Sequence, residues 1–227
     1  MEEIRVNRLP AITWRYLHVN DSPDKFEFPG NSASAVFSDK QYVSEGGTLP
    51  ADFRGASAET LAAAEKGQAY TVIIPEKTEA ELTISITAEE DRPDFAGCFI
   101  FKLEKDAKLN LIWRLSGDRK HSVFATASFY ELMKNAALSV SYLETGLPAS
   151  SLYEQRYAVL GDDAKLDFVS AELGGEKVIV HSYGRLVGSR SEMRETALYA
   201  ATGRQSLDLF YHIDHIGKES NAVIDVK

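Results

Sequence analysis

The chain has 227 residues, 44% of them hydrophobic, and a formal net charge of −9. That suits one large domain, or a domain with an appendage, around a sizeable core, and argues against nucleic acid or an anionic membrane as the main partner. A single cysteine, Cys98, excludes an intramolecular disulfide framework and an all-cysteine cluster site within one chain.

The first residues, Met-Glu-Glu-Ile-Arg-Val-Asn-Arg, carry acids and no apolar stretch of the signal-peptide kind. No apolar run reaches membrane-spanning length, and the expected location is the cytoplasm. Residues 1–68 form a mixed, turn-rich region holding Pro10, Pro23, Pro29, Pro50 and the pair Gly46-Gly47. Phe26-Glu-Phe28 and Ala35-Val-Phe37 read as short strands there. Residues 57–66 read as the one helix, with Ser57 as N-cap and Gly67 ending it in the left-handed conformation.

From residue 69 to 227 the chain reads as strand and turn. Tyr70-Thr-Val-Ile-Ile-Pro75 is β-branched, Leu82–Thr87 alternates, Gly97–Leu103 is an apolar strand, and the Lys105-Asp106 turn leads into Leu109–Leu115. Second strands follow at Ser122–Phe129, Tyr153–Leu160, Val178–Tyr183 and Leu207–Ile213.

A short cassette recurs through this region: a small residue, any residue, then an apolar–polar–apolar triplet. Copies begin at Ala80, Ala107, Ala136, Ala164, a degenerate Met193, and Ala222, spaced 27, 29, 28, 29 and 29 residues apart. A fixed period of this size marks a solenoid, whose repeats bury their apolar faces by stacking on one another. Period-two alternation within each copy makes the unit a strand. Short alternating strands also suit a β-sandwich; the even spacing favours the solenoid. The leading alanine belongs at a corner where coils approach closely, and the apolar residues two and four positions on should point inward.

The stretch Gly203–Lys227, with Gly-Arg-Gln, a polar strand, an Asp214-His215 pair and a final Lys, is similar to the SufB/SufD family of iron–sulfur cluster assembly scaffolds. Leu198-Tyr199, Leu9-Pro10 and Trp14-Arg15-Tyr16 also resemble family elements. The resemblance implies an all-β fold, a right-handed parallel β-helix with about 28 residues per coil and a short mixed N-terminal region. It implies a non-enzymatic scaffold working with a SufC-like ATPase and a SufB/SufD paralogue, as a homodimer or hetero-oligomer. No cofactor is expected on this chain; the Fe–S cluster would sit transiently on the full complex. The family's functional cysteine, glutamate and histidine, and its ATPase-binding segment, fall beyond the position matching Lys227. No catalytic, cofactor or metal residue is therefore assigned.

Other candidates remain open to the structure. His212-Ile-Asp214-His215 resembles a ligand set, but on a strand His212 and Asp214 share a face that His215 does not, so hydrogen bonding to the next coil is favoured. Cys98, in an apolar strand with no cation beside it, reads as structural. Gly174-Gly175, Gly184 and Gly188 read as turns, because a phosphate loop needs a Lys-Ser/Thr and a helix after it. Arg185, Arg190, Arg194 and Arg204 could meet an acidic partner, with a solvated face favoured. β-Helices also host polysaccharide-active enzymes, which need paired carboxylates. Along Thr83, Asn110, Ser139 and Asp167 only Asp167 is acidic. A purely structural solenoid is the third reading.

Overall fold

The structure is a computed structural model describing residues 2–8, 22–117, 120–145 and 149–227. The Leu9-Pro10 and Trp14-Arg15-Tyr16 elements lie outside the described residues. In chain order the elements are β1 (Glu2–Val6), β2 (Ser22–Phe26), β3 (Ala35–Phe37), β4 (Val43–Glu45), α1 (Ala58–Lys66), β5 (Gln68–Ile74), β6 (Glu79–Ala88), β7 (Phe95–Leu103), β8 (Lys108–Gly117), β9 (Lys120–Leu132), β10 (Ala137–Thr145), β11 (Ala149–Leu160), β12 (Lys165–Glu172), β13 (Lys177–Leu186), β14 (Glu192–Tyr199), β15 (Ser206–His215) and β16 (Asn221–Val226).

Two seven-stranded sheets result. Sheet I runs β16-β14-β12-β10-β8-β6-β3 and sheet II runs β15-β13-β11-β9-β7-β5-β4. The chain passes from one sheet to the other at each turn, giving a β-solenoid of about five turns with roughly 29 residues per turn. All neighbours pair in parallel except β3 on β6 and β4 on β5, which are antiparallel. A separate β1–β2 hairpin packs Ile4 and Val6 against Tyr153 and Ile179 of sheet II.

The two sheets differ in what covers them, and their strands differ accordingly. Sheet I strands alternate buried and exposed, as in β10 and β12, because one face meets the lumen and the other meets water. Sheet II is buried on both faces: the lumen lies inside, and α1 with residues 49–61 and the β1–β2 hairpin lie outside. Its central strands are buried almost throughout, and β7 is a near-continuous apolar run over Phe95–Phe101.

Tight corners join each sheet II strand to the next sheet I strand. Lys77, Asp106, Asn135, Asp163, Arg190 and Glu219 all have φ between 57° and 60°. This left-handed conformation disfavours non-glycine residues, yet it repeats in every coil. The N–H of each of the first five donates to a carbonyl one coil on, from Lys77 to Lys105 O at 3.1 Å through to Arg190 to Lys218 O at 2.8 Å. The stack holds the conformation.

The small residue behind the corner is Thr78, Ala107, Ala136, Ala164, Ser191 or Ser220. Ala107, Ala136, Ala164 and Ser191 are fully buried. The cassettes at Ala80, Met193 and Ala222 are therefore two residues out of phase: Ala80 pairs with Leu109, Met193 with Leu166, and Ala222 with Met193. A two-residue slip preserves strand parity, so the inward assignments stand while the corner residue moves.

Helix α1 starts at Ser57 with a capping box to Thr60. Gly67 does not end it in the left-handed region; its backbone is extended, at φ −81°. Glycine is needed there for room, because a Cβ would collide with the Ala96 carbonyl as the chain enters β5.

Candidate functional site: a buried ionic nest

The lumen is apolar through its first coils, where β5 to β9 meet in one core with Ile84, Leu111, Trp113 and Phe101. In the later coils polar residues occupy inward positions. On β11 the inward row reads Leu152, Glu154, Arg156, Ala158, Leu160, with Leu152, Ala158 and Leu160 in the core. By the same parity Tyr142 and Glu144 point inward from β10, Ser170 and Glu172 from β12, Ser182 from β13, Glu195 from β14 and Tyr211 from β15.

Arg156 is the centre of this nest and is 2% exposed. Its Nε donates to Glu154 Oε1 at 2.5 Å and its Nη2 to Glu154 Oε2 at 2.7 Å, a two-pronged pair. Nη2 also donates to Glu172 Oε1 at 2.9 Å. The guanidinium lies 4.1 Å from the Phe168 ring centroid and 5.2 Å from that of Tyr142. Ser182 Oγ donates to Glu195 Oε1.

Four buried carboxyl groups thus share the lumen with one guanidinium among the described residues. Glu144, fully buried, has no hydrogen bond of good geometry at either carboxyl oxygen, although it abuts Glu172 and Gly174. Burial first, then the charges of Glu172 and Glu154, push its pKa up to about 9. Burial raises Glu154 to about 7 against the pull of Arg156, and burial raises Glu195 as well. Arg156 Nη1, Ser170 Oγ, Glu172 Oε2, Glu195 Oε2 and Tyr211 Oη lack protein partners too. The nest can hold protons out of bulk water. Among the described residues no group of three or more His, Cys, Asp or Glu side chains is arranged to hold a metal ion.

Sequence reading missed the nest. Its signal is a Glu or Arg on the inward parity of a strand, but β11 is buried on both faces, so no exposed row marks the parity of Tyr153-Glu-Gln-Arg-Tyr157.

The sequence candidates are distributed otherwise. His212 Nε2 and Asp214 Oδ1 are 2.7 Å apart on one face, while His215 Nδ1 faces Ser220 Oγ at 2.8 Å. The expected backbone contacts are replaced by this side-chain pair and by Tyr183 donating its hydroxyl to Asp214. Cys98 is buried beneath α1, and burial, with the nearby Glu65 charge, pushes its thiol up to about 12. Gly175 is a left-handed turn residue at φ 73°. Gly184 is not a turn: it lies within β13 facing inward, and a Cβ there would meet the Met193 sulfur.

The four arginines do not converge. Arg185 reaches Asp52 on the outside of sheet II at 3.2 Å, Arg190 pairs with Asp163 at a corner, Arg194 lies on the outer face of sheet I, and Arg204 is exposed in the turn before β15. The outer ladder containing Asp167 runs Glu81, Asn110, Ser139, Asp167, Arg194, with Glu81 in place of Thr83.

One further cluster lies outside the lumen. His181 stacks on Phe210 and Phe210 on His212, forming the floor of a pocket of about 300 Å³ that Arg8 and Arg54 also line.

Fold and site together define a parallel β-solenoid with stacked corners and a polar lumen in its later coils. A family model described as SUF system FeS cluster assembly, SufBD core domain, matches residues 60–227, and the chain belongs to this family. Membership carries a role in SUF iron–sulfur cluster assembly. The comparisons with curated proteins and with solved structures give no match.

Proposed function

We propose that the chain is a scaffold subunit of the SUF machinery, SufB/SufD-like, which acts by protein–protein assembly rather than by catalysis of its own. It works in the cytoplasm, with a SufC-like ATPase and a SufB/SufD paralogue or a second copy of itself, and the iron–sulfur cluster is the cargo of the assembled complex.

The observation that carries this reading is the match of residues 60–227 to the SufBD core domain, on a stack of two sheets in which sheet I presents one exposed face along its strands. The test is co-expression with a SufC-like ATPase and a SufB/SufD paralogue, followed by size-exclusion chromatography. A stoichiometric complex supports the reading; a chain that elutes alone in the presence of both contradicts it.

The polysaccharide-enzyme reading loses its geometry. Glu81 and Asp167 stand three strands apart on the outer ladder, roughly 14 Å at about 4.8 Å per strand. Paired glycosidase carboxyl groups sit no more than about 9.5 Å apart. Glu192, on the strand beside Asp167, is nearer, but it is held by Lys165 at 3.0 Å, and the remaining close carboxylates include those enclosed in the lumen beside Arg156.

A further inference from the structure

The outer pocket on sheet II has a protonation pattern that its hydrogen bonds fix. Asn7 Nδ2 lies 3.0 Å from Val180 O and 2.9 Å from Asp208 Oδ1, both acceptors, so this atom is the amide NH2. Asn7 Oδ1, 2.9 Å from His181 Nδ1, then accepts, and Nδ1 carries the proton. The neutral ring therefore has a bare Nε2, which no described residue contacts by hydrogen bond.

The ring stays neutral because its surroundings oppose a second proton. Burial, then the charge of Arg54 and the neighbouring His212, push His181 down to about 4. Asp208 accepts from Asn7 through Oδ1, its Oδ2 having no protein partner, and Asp214 is held by Tyr183 and His212. Arg54 lies 4.6 Å from the Tyr183 ring centroid, and neither Arg54 nor Arg8 forms an ion pair with a described carboxylate. Two guanidinium groups, each able to hold an oxyanion, thus border one pocket with a hydrogen-bond acceptor in its lining.

We propose that this pocket binds a hydrogen phosphate group, its anionic oxygens on Arg8 and Arg54 and its remaining P–O–H donating to His181 Nε2. A fully deprotonated oxyanion would set its lone pairs against that of Nε2. The site therefore selects an oxyanion that still carries a proton.

The test uses the whole chain with inorganic phosphate as probe and sulfate, of similar size but without a proton at pH 7, as control. Calorimetry and the His181 Nε2 nitrogen resonance are the readouts. Phosphate should bind at least about tenfold more tightly than sulfate, the cost of one hydrogen bond to a charged group, and should shift the Nε2 resonance. Arg54→Ala and Arg8→Ala, at exposed positions that leave folding intact, should each weaken phosphate by about tenfold or more. Equal affinity for the two anions overturns the proton-selective site. An unmoved Nε2 resonance, or unchanged affinity in both arginine variants, overturns the pocket as the site.

Discussion

Glu144 is where the physics of this chain is most exposed to measurement. Its carboxyl group is raised from the ordinary 4.5 to about 9 by burial beside Glu172 and Glu154. The folded protein therefore keeps a proton that the unfolded chain releases above about pH 4.5. The stability tied to this proton is fully present below that pH and is lost progressively as pH rises toward 9. Glu154, raised to about 7, acts in the same direction. Asp106, Asp163 and Asp214 are lowered by their hydrogen bonds to Asn135, Arg190 and Tyr183, so their contribution is lost only as pH falls below the ordinary carboxylate range. The two effects occupy different windows. Urea unfolding from pH 5 to pH 9 should show wild-type stability falling. Glu144→Gln, a neutral isostere, should flatten that slope and be the more stable at pH 9, by an amount on the order of a few kcal/mol. A variant with the wild-type slope, or less stable at pH 9, would show that Glu144 is ionised in the fold.

Among the elements, the sheet I strands were legible and the sheet II strands only partly so. Leu109-Asn-Leu111 and Leu166-Asp-Phe168 alternate because one face is wet, and the structure buries their apolar residues as the period requires. β11 has two buried faces, so its apolar and polar residues lose the alternation that would reveal Glu154 and Arg156 as lumen residues. The corner residues were hidden for another reason. Asp106, Asn135 and Arg190 share a backbone conformation but no side-chain type, because the coil stack rather than the residue enforces it. Leu166, 3% exposed on β12, tests the ladder assignment. Leu166→Ala should leave a cavity and cost about 2–5 kcal/mol, read as a lower thermal midpoint. An unchanged midpoint would remove Leu166 from the core.

At the scale of the whole molecule, each coil is held by its neighbours through strand ladders and corner hydrogen bonds, so rigidity comes from repetition along the stack. The even repeat spacing made the stack visible in the sequence; the nest joins side chains of neighbouring coils and the outer pocket adds Arg8 and Arg54 from the N-terminal region, and neither had a local motif to announce it. We propose that cluster chemistry belongs to the assembly. Anaerobic reconstitution with iron and sulfide, quantifying both per chain, should give stoichiometric iron and sulfide on the complex with the ATPase and paralogue, and none on the chain alone. A stoichiometric cluster on the isolated chain would contradict it.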